Sequence, residues 1–294
     1  MTTMIMTQPT ELHSLVSHLD MLPAVPAVAK KILALQLDSD QGEMQLLRLI
    51  ENEPTIAARL VGLANSPLFG ATKKIVSVRD AAIVLGITRV KSISVGIVLM
   101  STLTHKVAAK LNHNQLWLHS LGVALASREL CKKLPAARRP QEDEVFLAGL
   151  LHEIGYMVLA DLAPDLSDRL QEAMAAEPDL PVEKVERNLL GTTHAELGAA
   201  LAKHWNLPDN IVRAVRYHHS PQLSEACEIQ PLACVIHLAE RLSGPQGVDE
   251  YLHNDVTEEE WCNLGIDPAD AEEVAEAIRQ QSAEVQSLAS TFFS

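Results

Sequence analysis

Five histidines and two glutamates fall within stretches patterned as apolar helix faces. They are His119 in WLHSLGVALA, His152 and Glu153 in LLHEIGY, His194 in HAELGAALAKHW, His218 and His219 in VRAVRYHH, and Glu240 in VIHLAERL. Neutral imidazole and carboxylate together suit a transition metal such as Fe, Mn or Zn. Helix neighbours point about 100° apart, so His152 and Glu153 can flank one ion from a single turn. His218 and His219 can do the same. Buried charge is costly unless paired. LLHEIGY therefore reads as a working metal site, the remnant of one, or a hydrogen-bonded structural pair.

Each residue also has a plainer role. His119 alone fits a core histidine with one hydrogen-bond partner. His218 and His219 fit the negative end of a helix dipole. Glu153 and Glu240 are stronger signals, because a carboxylate on an apolar face needs a cation; Arg59, Arg89, Arg128 or Arg241 could be that cation without any metal. His13, His18, His105, His113 and His253 read as surface or loop residues.

The elements that must position these side chains read as helices throughout. Pro26 opens PAVAKKILALQL, Ser39 or Asp40 caps GEMQLLRLIEN, Pro54 fits a first turn, and Ser77 caps a helix that Gly86 ends. ITRVKSISVGIVLMSTL is β-branched, yet its length and lack of alternation predict a buried helix. DEVFLAGLLHEIGYMVLADLAP reads as one helix carrying the His-Glu pair. Further helices follow over 114–134, 164–176, 181–190, 193–205, 208–219, 230–242 and 268–290. No strand pair or hairpin signal appears, so the expected fold class is all-α. Residues 243–255, rich in Gly, Pro and acid, read as an insertion, and a compositional break near 103–114 reads as a seam between two lobes.

Composition narrows the function classes. The 294 residues are 47% hydrophobic and 21% charged, as in a globular protein, with only 3% aromatics, so the core is built from Leu, Ala, Val and Ile. A net charge of −14 gives no global pull toward phosphate backbones, which makes a nucleic-acid partner unexpected. The basic run KKLPAARR reads as a solvated helix end and turn. The longest apolar run, VGIVLM, is far short of the roughly 20 residues of a membrane span, and no signal peptide is recognised, so a soluble cytoplasmic protein is expected. The four cysteines have no metal-ribbon or C-x-x-C spacing and read as reduced packing thiols.

The order His…His-acid…His…His-His…acid resembles the HD superfamily of metal-dependent phosphohydrolases, especially its two-metal cyclic-dinucleotide branch. Where that pattern has Asp, this chain has Glu153 and Glu240. Where its catalytic branch continues with Gly-Lys, Gly155 is followed by Tyr156, and the GYP loop of that branch is absent from HHSPQLSEACEIQ. LPAVPAVAKKIL, IENEPTIAARLVGLANSPLFG and IVSVRDAAIVLGITRVKSISV strongly resemble the HDOD domain, the HD-related output domain of bacterial signalling proteins. The resemblance implies a two-lobed helical bundle with an HD-like second lobe. Its segments are 1–14, an HDOD domain over 15–219 (lobes 15–108 and 109–219), and a helical extension over 220–294 that completes the second lobe.

It also implies a signal-transduction output module without catalytic residues. The expected partner is a signalling protein or a small nucleotide effector, with a homodimer possible and no membrane. The alternative is a metal-dependent phosphohydrolase acting on a nucleotide or cyclic dinucleotide. There, His119, His152, Glu153 and Glu240 would hold one ion, and Glu153 would bridge to a second held by His194, His218 and His219. One or two divalent ions are the expected cofactors, or none.

Overall fold

Fifteen α-helices and two short 3₁₀ turns account for the regular structure in the computed structural model, which describes residues 24–103, 110–220, 231–244 and 256–287. No strand occurs among the described residues. Helix α1 is Ala27–Leu33, α2 Asp40–Glu51, α3 Pro54–Ala64, α4 Val78–Leu85 and α5 Ile87–Ser101. Then come α6 His113–Lys133, α7 Glu142–Leu151, α8 Ile154–Leu162, α9 Pro164–Ala176 and α10 Val182–Leu190. The chain continues with α11 His194–His204, α12 Asp209–Tyr217, α13 Pro231–Ser243, α14 Glu258–Leu264 and α15 Pro268–Ser287.

The punctuation acts as the sequence predicts. The Ser39 and Ser77 side chains accept backbone N–H groups of their first turns, and Pro54 occupies the first turn of α3. Gly86 has φ +87°, a region that residues with a Cβ rarely adopt, and there α4 and α5 turn by 114°. Asn65 ties down the loop beyond α3 by donating to and accepting from the Ile75 backbone at 2.7 and 2.8 Å.

One apolar core runs from Val25 to Val285. Helix α5, buried along most of its length, packs on α1 and on α7, so the N-terminal helices and the histidine-bearing ones share that core. Helix α6 is the hub, covered by α7, α13 and α15. Val274, Ile278 and Val285 are buried, so the apolar stripe of α15 packs internally. Leu288, the insertion beyond residue 244, and His13, His18, His105 and His253 lie outside the described residues, as does half of the expected seam.

Several expectations need correction. The 142–162 segment is not one helix: α7 ends at Leu151, α8 starts at Ile154, and Glu153 between them has φ −94° and ψ 7°. By length and composition this segment could cross a membrane, but 94% of its apolar window is buried inside the protein. His113 begins α6 rather than lying on a loop. Cys131 and Cys262 are free, whereas Cys234 is disulfide-bonded. The basic run is, as expected, a largely exposed helix end and turn, in which Arg138 donates to the Asn263 carbonyl and Arg139 to those of Lys132 and Leu134.

Candidate metal centre

The break between α7 and α8 is what presents the His-Glu pair. His152 follows the last turn of α7, where carbonyls lack helical partners. Its Nδ1–H donates to Gly149 O at 2.7 Å, three residues back. His218 repeats the device at the end of α12, its Nδ1–H donating to Val215 O at 2.7 Å. Both bonds fix the tautomer and turn a bare Nε2 inward. His194 enters from the opposite kind of helix end. Thr193 and Glu196 form a reciprocal capping box that starts α11, and His194 is its first residue. His119 comes from the middle of α6 and Glu240 from α13.

All seven sequence-predicted residues meet in one place, in two groups that share Glu153. The first is His119, His152, Glu153 and Glu240; the second is Glu153, His194, His218 and His219. In the first, His119 and His152 bring their Nε2 atoms to 3.2 Å, and Glu153 Oε1 lies 3.5 Å from His152 Nε2. In the second, His194 Nε2 is 3.2 Å from His218 Nε2 and 3.1 Å from His219 Nε2. Glu153 reaches His218 with Oε1 and His194 with Oε2, each at 3.4 Å. Glu240 stands further off, with Oε1 3.8 Å from both His119 and His152.

These separations can be tested against a coordination polyhedron. Metal–nitrogen bonds of about 2.1 Å place neighbouring donors roughly 3.0 Å apart in an octahedron and 3.4 Å in a tetrahedron. The donor distances around Glu153 lie in or close to that range, so the residues fit a divalent ion. Glu240 is the looser member.

Electrostatics point the same way. Burial pushes His119 down to about 3, and repulsion from His218 and His194 adds to it. His152 and His219 are also held well below the usual imidazole range, chiefly by burial. These imidazoles are thus neutral, the form that ligates. Within 4 Å of the Glu153 carboxylate stand His152, His194, His218 and His219. Of the arginines considered as counter-charges, Arg241 pairs with Glu260, Arg128 with Glu142, and Arg89 lies over the Phe69 ring. The donors are almost sealed: side-chain exposure is 7% for His219, 3% for His119 and zero for the other five.

Two residues around the donors, Glu186 and His237, escaped the sequence reading, and a third, Tyr156, has a place it did not foresee. Glu186 on α10 is fully buried and accepts from His194 Nδ1 at 2.6 Å. Its signal was present, because it shares the apolar face of α10 with Val182, Val185 and Leu190. Tyr156, which replaces the lysine of the catalytic branch, is 1% exposed and stacks on His194 with ring centroids 4.3 Å apart. His237 donates to the His218 carbonyl at 2.6 Å, and Arg241 reaches its other nitrogen at 3.4 Å.

Comparison with known proteins adds a family and a set of folds. Residues 22–221 match the family model described as the HDOD domain. An uncharacterized protein of Treponema pallidum is 28% identical over 243 residues, covering 80% of this chain but only 45% of its own length. An HDOD domain protein of unknown function from Geobacter sulfurreducens shares the fold with a TM-score of 0.79, at 23% identity over 97% of this chain and 99% of that one. A Marinobacter aquaeolei protein provisionally named for signal transduction gives 0.80 at 25% identity, over 97% of this chain and 65% of that one. A Shewanella amazonensis protein provisionally named a metal-dependent phosphohydrolase gives 0.61 at 20% identity, over 95% of this chain and 98% of that one.

Proposed function

This chain belongs to the HDOD domain family, and on that premise we propose that it is a regulatory output module whose buried centre holds divalent metal without hydrolysing a substrate. The observation that carries this reading is the enclosure of the donors. A hydrolytic metal site keeps one coordination position open to substrate and water. Here five of seven donor side chains have no exposure, and Tyr156 covers one face of His194. Among the described residues, only His219 and His119 leave any donor surface for a phosphodiester to approach. The named neighbour in signal transduction is consistent with a regulatory role for that protein's fold.

In this reading His119, His152, Glu153 and Glu240 hold one ion, while Glu153, His194, His218 and His219 hold the other. A bound divalent ion would supply Lewis acidity and fixed positive charge. The side chains exclude water, hold their imidazoles neutral and keep the Nε2 atoms converged. The output passes to a signalling protein or is set by a small nucleotide effector in a cytoplasmic setting.

A second reading, hydrolysis of a nucleotide or cyclic dinucleotide, draws support from the two donor groups sharing one carboxylate, the layout of a two-metal site. One experiment separates the two readings. The protein is purified without added metal, analysed for Fe, Mn and Zn, and assayed with Mn²⁺ and Fe²⁺ on bis(p-nitrophenyl) phosphate and a cyclic dinucleotide. We expect one to two equivalents of metal, lost in His152→Ala, and no turnover. Hydrolysis that disappears in His152→Ala would make the protein an enzyme. Less than about a tenth of an equivalent, even after Mn²⁺ or Fe²⁺ is supplied, would remove metal from the account.

A further inference from the structure

We propose that Glu186 is the positioning residue of the second half of the centre: its carboxylate sets the tautomer, orientation and basicity of His194. The inference rests on the metal-holding reading above. His152 and His218 lean their Nδ1–H groups on neutral backbone carbonyls, Gly149 O and Val215 O. His194 alone of these three leans on a side-chain carboxylate, and does so at 2.6 Å. A carboxylate behind an imidazole raises the donor strength of the far nitrogen, and losing such a partner typically costs about 10- to 100-fold in metal affinity.

The position is built rather than incidental. Glu186 has no exposure at all, lies on the apolar face of α10, and reaches across to the first residue of α11. Burial pushes the Glu186 carboxyl up to about 8, and the His194 backbone N–H and the Tyr156 hydroxyl pull part of the way back toward the charged form. Tyr156 also presses its ring flat on the His194 imidazole, 18° from parallel. The imidazole is therefore held at its edge by Glu186 and on its face by Tyr156. This arrangement gives the aromatic residue at 156 a task that a lysine could not perform. It also makes the two halves chemically unequal: His194 is the stronger donor, and the half containing it should fill first.

The test is a Co²⁺ titration of the full chain, followed by d–d absorption and metal analysis, with Glu186→Gln, Glu186→Ala and Tyr156→Phe alongside. Glu186→Gln keeps an acceptor of similar shape and removes the charge. We expect it to weaken the tighter of two Co²⁺ equivalents by about 10-fold, and Glu186→Ala by about 100-fold, with the other equivalent unchanged. Nitrogen-15 shifts of His194 in the metal-free protein should report Nδ1–H in wild type and a mixture of tautomers in Glu186→Ala. Should Glu186→Ala fail to fold, Glu186→Gln carries the test, and Tyr156→Phe should give a smaller loss at the same equivalent. A purely structural role would lower the melting temperature of Glu186→Gln while leaving both affinities and the spectrum alone, and that result overturns the proposal. Wild type that takes up no Co²⁺ defeats the metal reading itself; wild type and Glu186→Gln that bind alike defeat only the role of Glu186.

Discussion

Gly155 offers the sharpest mutational test of how the centre is assembled. A Cβ built on this residue would lie 1.9 Å from the carbonyl oxygen of His194 and 2.6 Å from its carbonyl carbon. Ordinary contacts there start near 3.4 Å, and both obstructing atoms are backbone, so no side chain can rotate away. In Gly155→Ala, helices α8 and α11 must therefore separate by about 1–1.5 Å. Overpacking of this kind costs about 1–3 kcal/mol, and the backbone clash puts this case at the upper end. At roughly 2–4 °C per kcal/mol for a chain of this size, the melting temperature should fall by about 6–12 °C. The displaced residue is itself a donor, and metal sites tolerate donor errors of only about 0.2 Å. The variant should thus lose the second metal equivalent as well. Thermal melts with and without chelator, paired with metal analysis, measure both effects. A melting temperature within about 2 °C of wild type, with unchanged metal content, would refute the backbone-contact reasoning.

The remaining expectations are simpler. Glu153→Ala should abolish both metal equivalents, whereas Glu240→Ala should weaken one only, as read by metal analysis; equal losses would mean that Glu153 is not shared. Thr193→Ala removes the cap that launches His194 into α11 and should cost about 1 kcal/mol in urea unfolding, with no loss if Glu196 alone suffices. His237 is pushed from 6.5 down to about 4, by burial first and then by Arg241. Between those values the unfolded chain binds a proton that the folded chain refuses, so this group's contribution to stability falls as pH drops from 6.5 toward 4. In chelator-treated protein, His237→Gln should remove up to about 1.4 kcal/mol per pH unit of that slope; an unchanged slope would show that His237 does not titrate as described.

Much of this was legible in the chain because helix boundaries are local chemistry. Pro26, Pro54, Ser39, Ser77 and Gly86 act within a turn of where they stand, and each does what its type predicts. The meeting of the seven residues was legible for the opposite reason: a polar group on an apolar face has few explanations. The helix break at His152–Glu153 was not legible, because both flanks are strongly helical and the interruption accompanies an imidazole bonding to a carbonyl three residues back. Helix α14 is only seven residues long, too short for periodicity to register, and rests on its Thr257–Glu260 capping box. Glu186 obeyed the same rule as Glu153 and Glu240, but its neighbours in VEKVERNLL are charged and disguise the stripe. The bonded state of Cys234 depends on what folding brings near it, which spacing alone does not encode.

The donors are strung along the chain from His119 to Glu240 and drawn from α6, the α7–α8 junction, α11, the end of α12, and α13. An ion gripping them ties several long loops at a single knot, and closing long loops is where a clip removes the most freedom from the unfolded chain. The knot also overruns the family segment, which stops at residue 221, while Glu240 comes nineteen residues later. A fragment trimmed to the family boundary would keep six of the seven strands of that knot and leave the first ion without its carboxylate from α13. Residues beyond the recognised segment therefore complete the cluster in which we propose that metal is held.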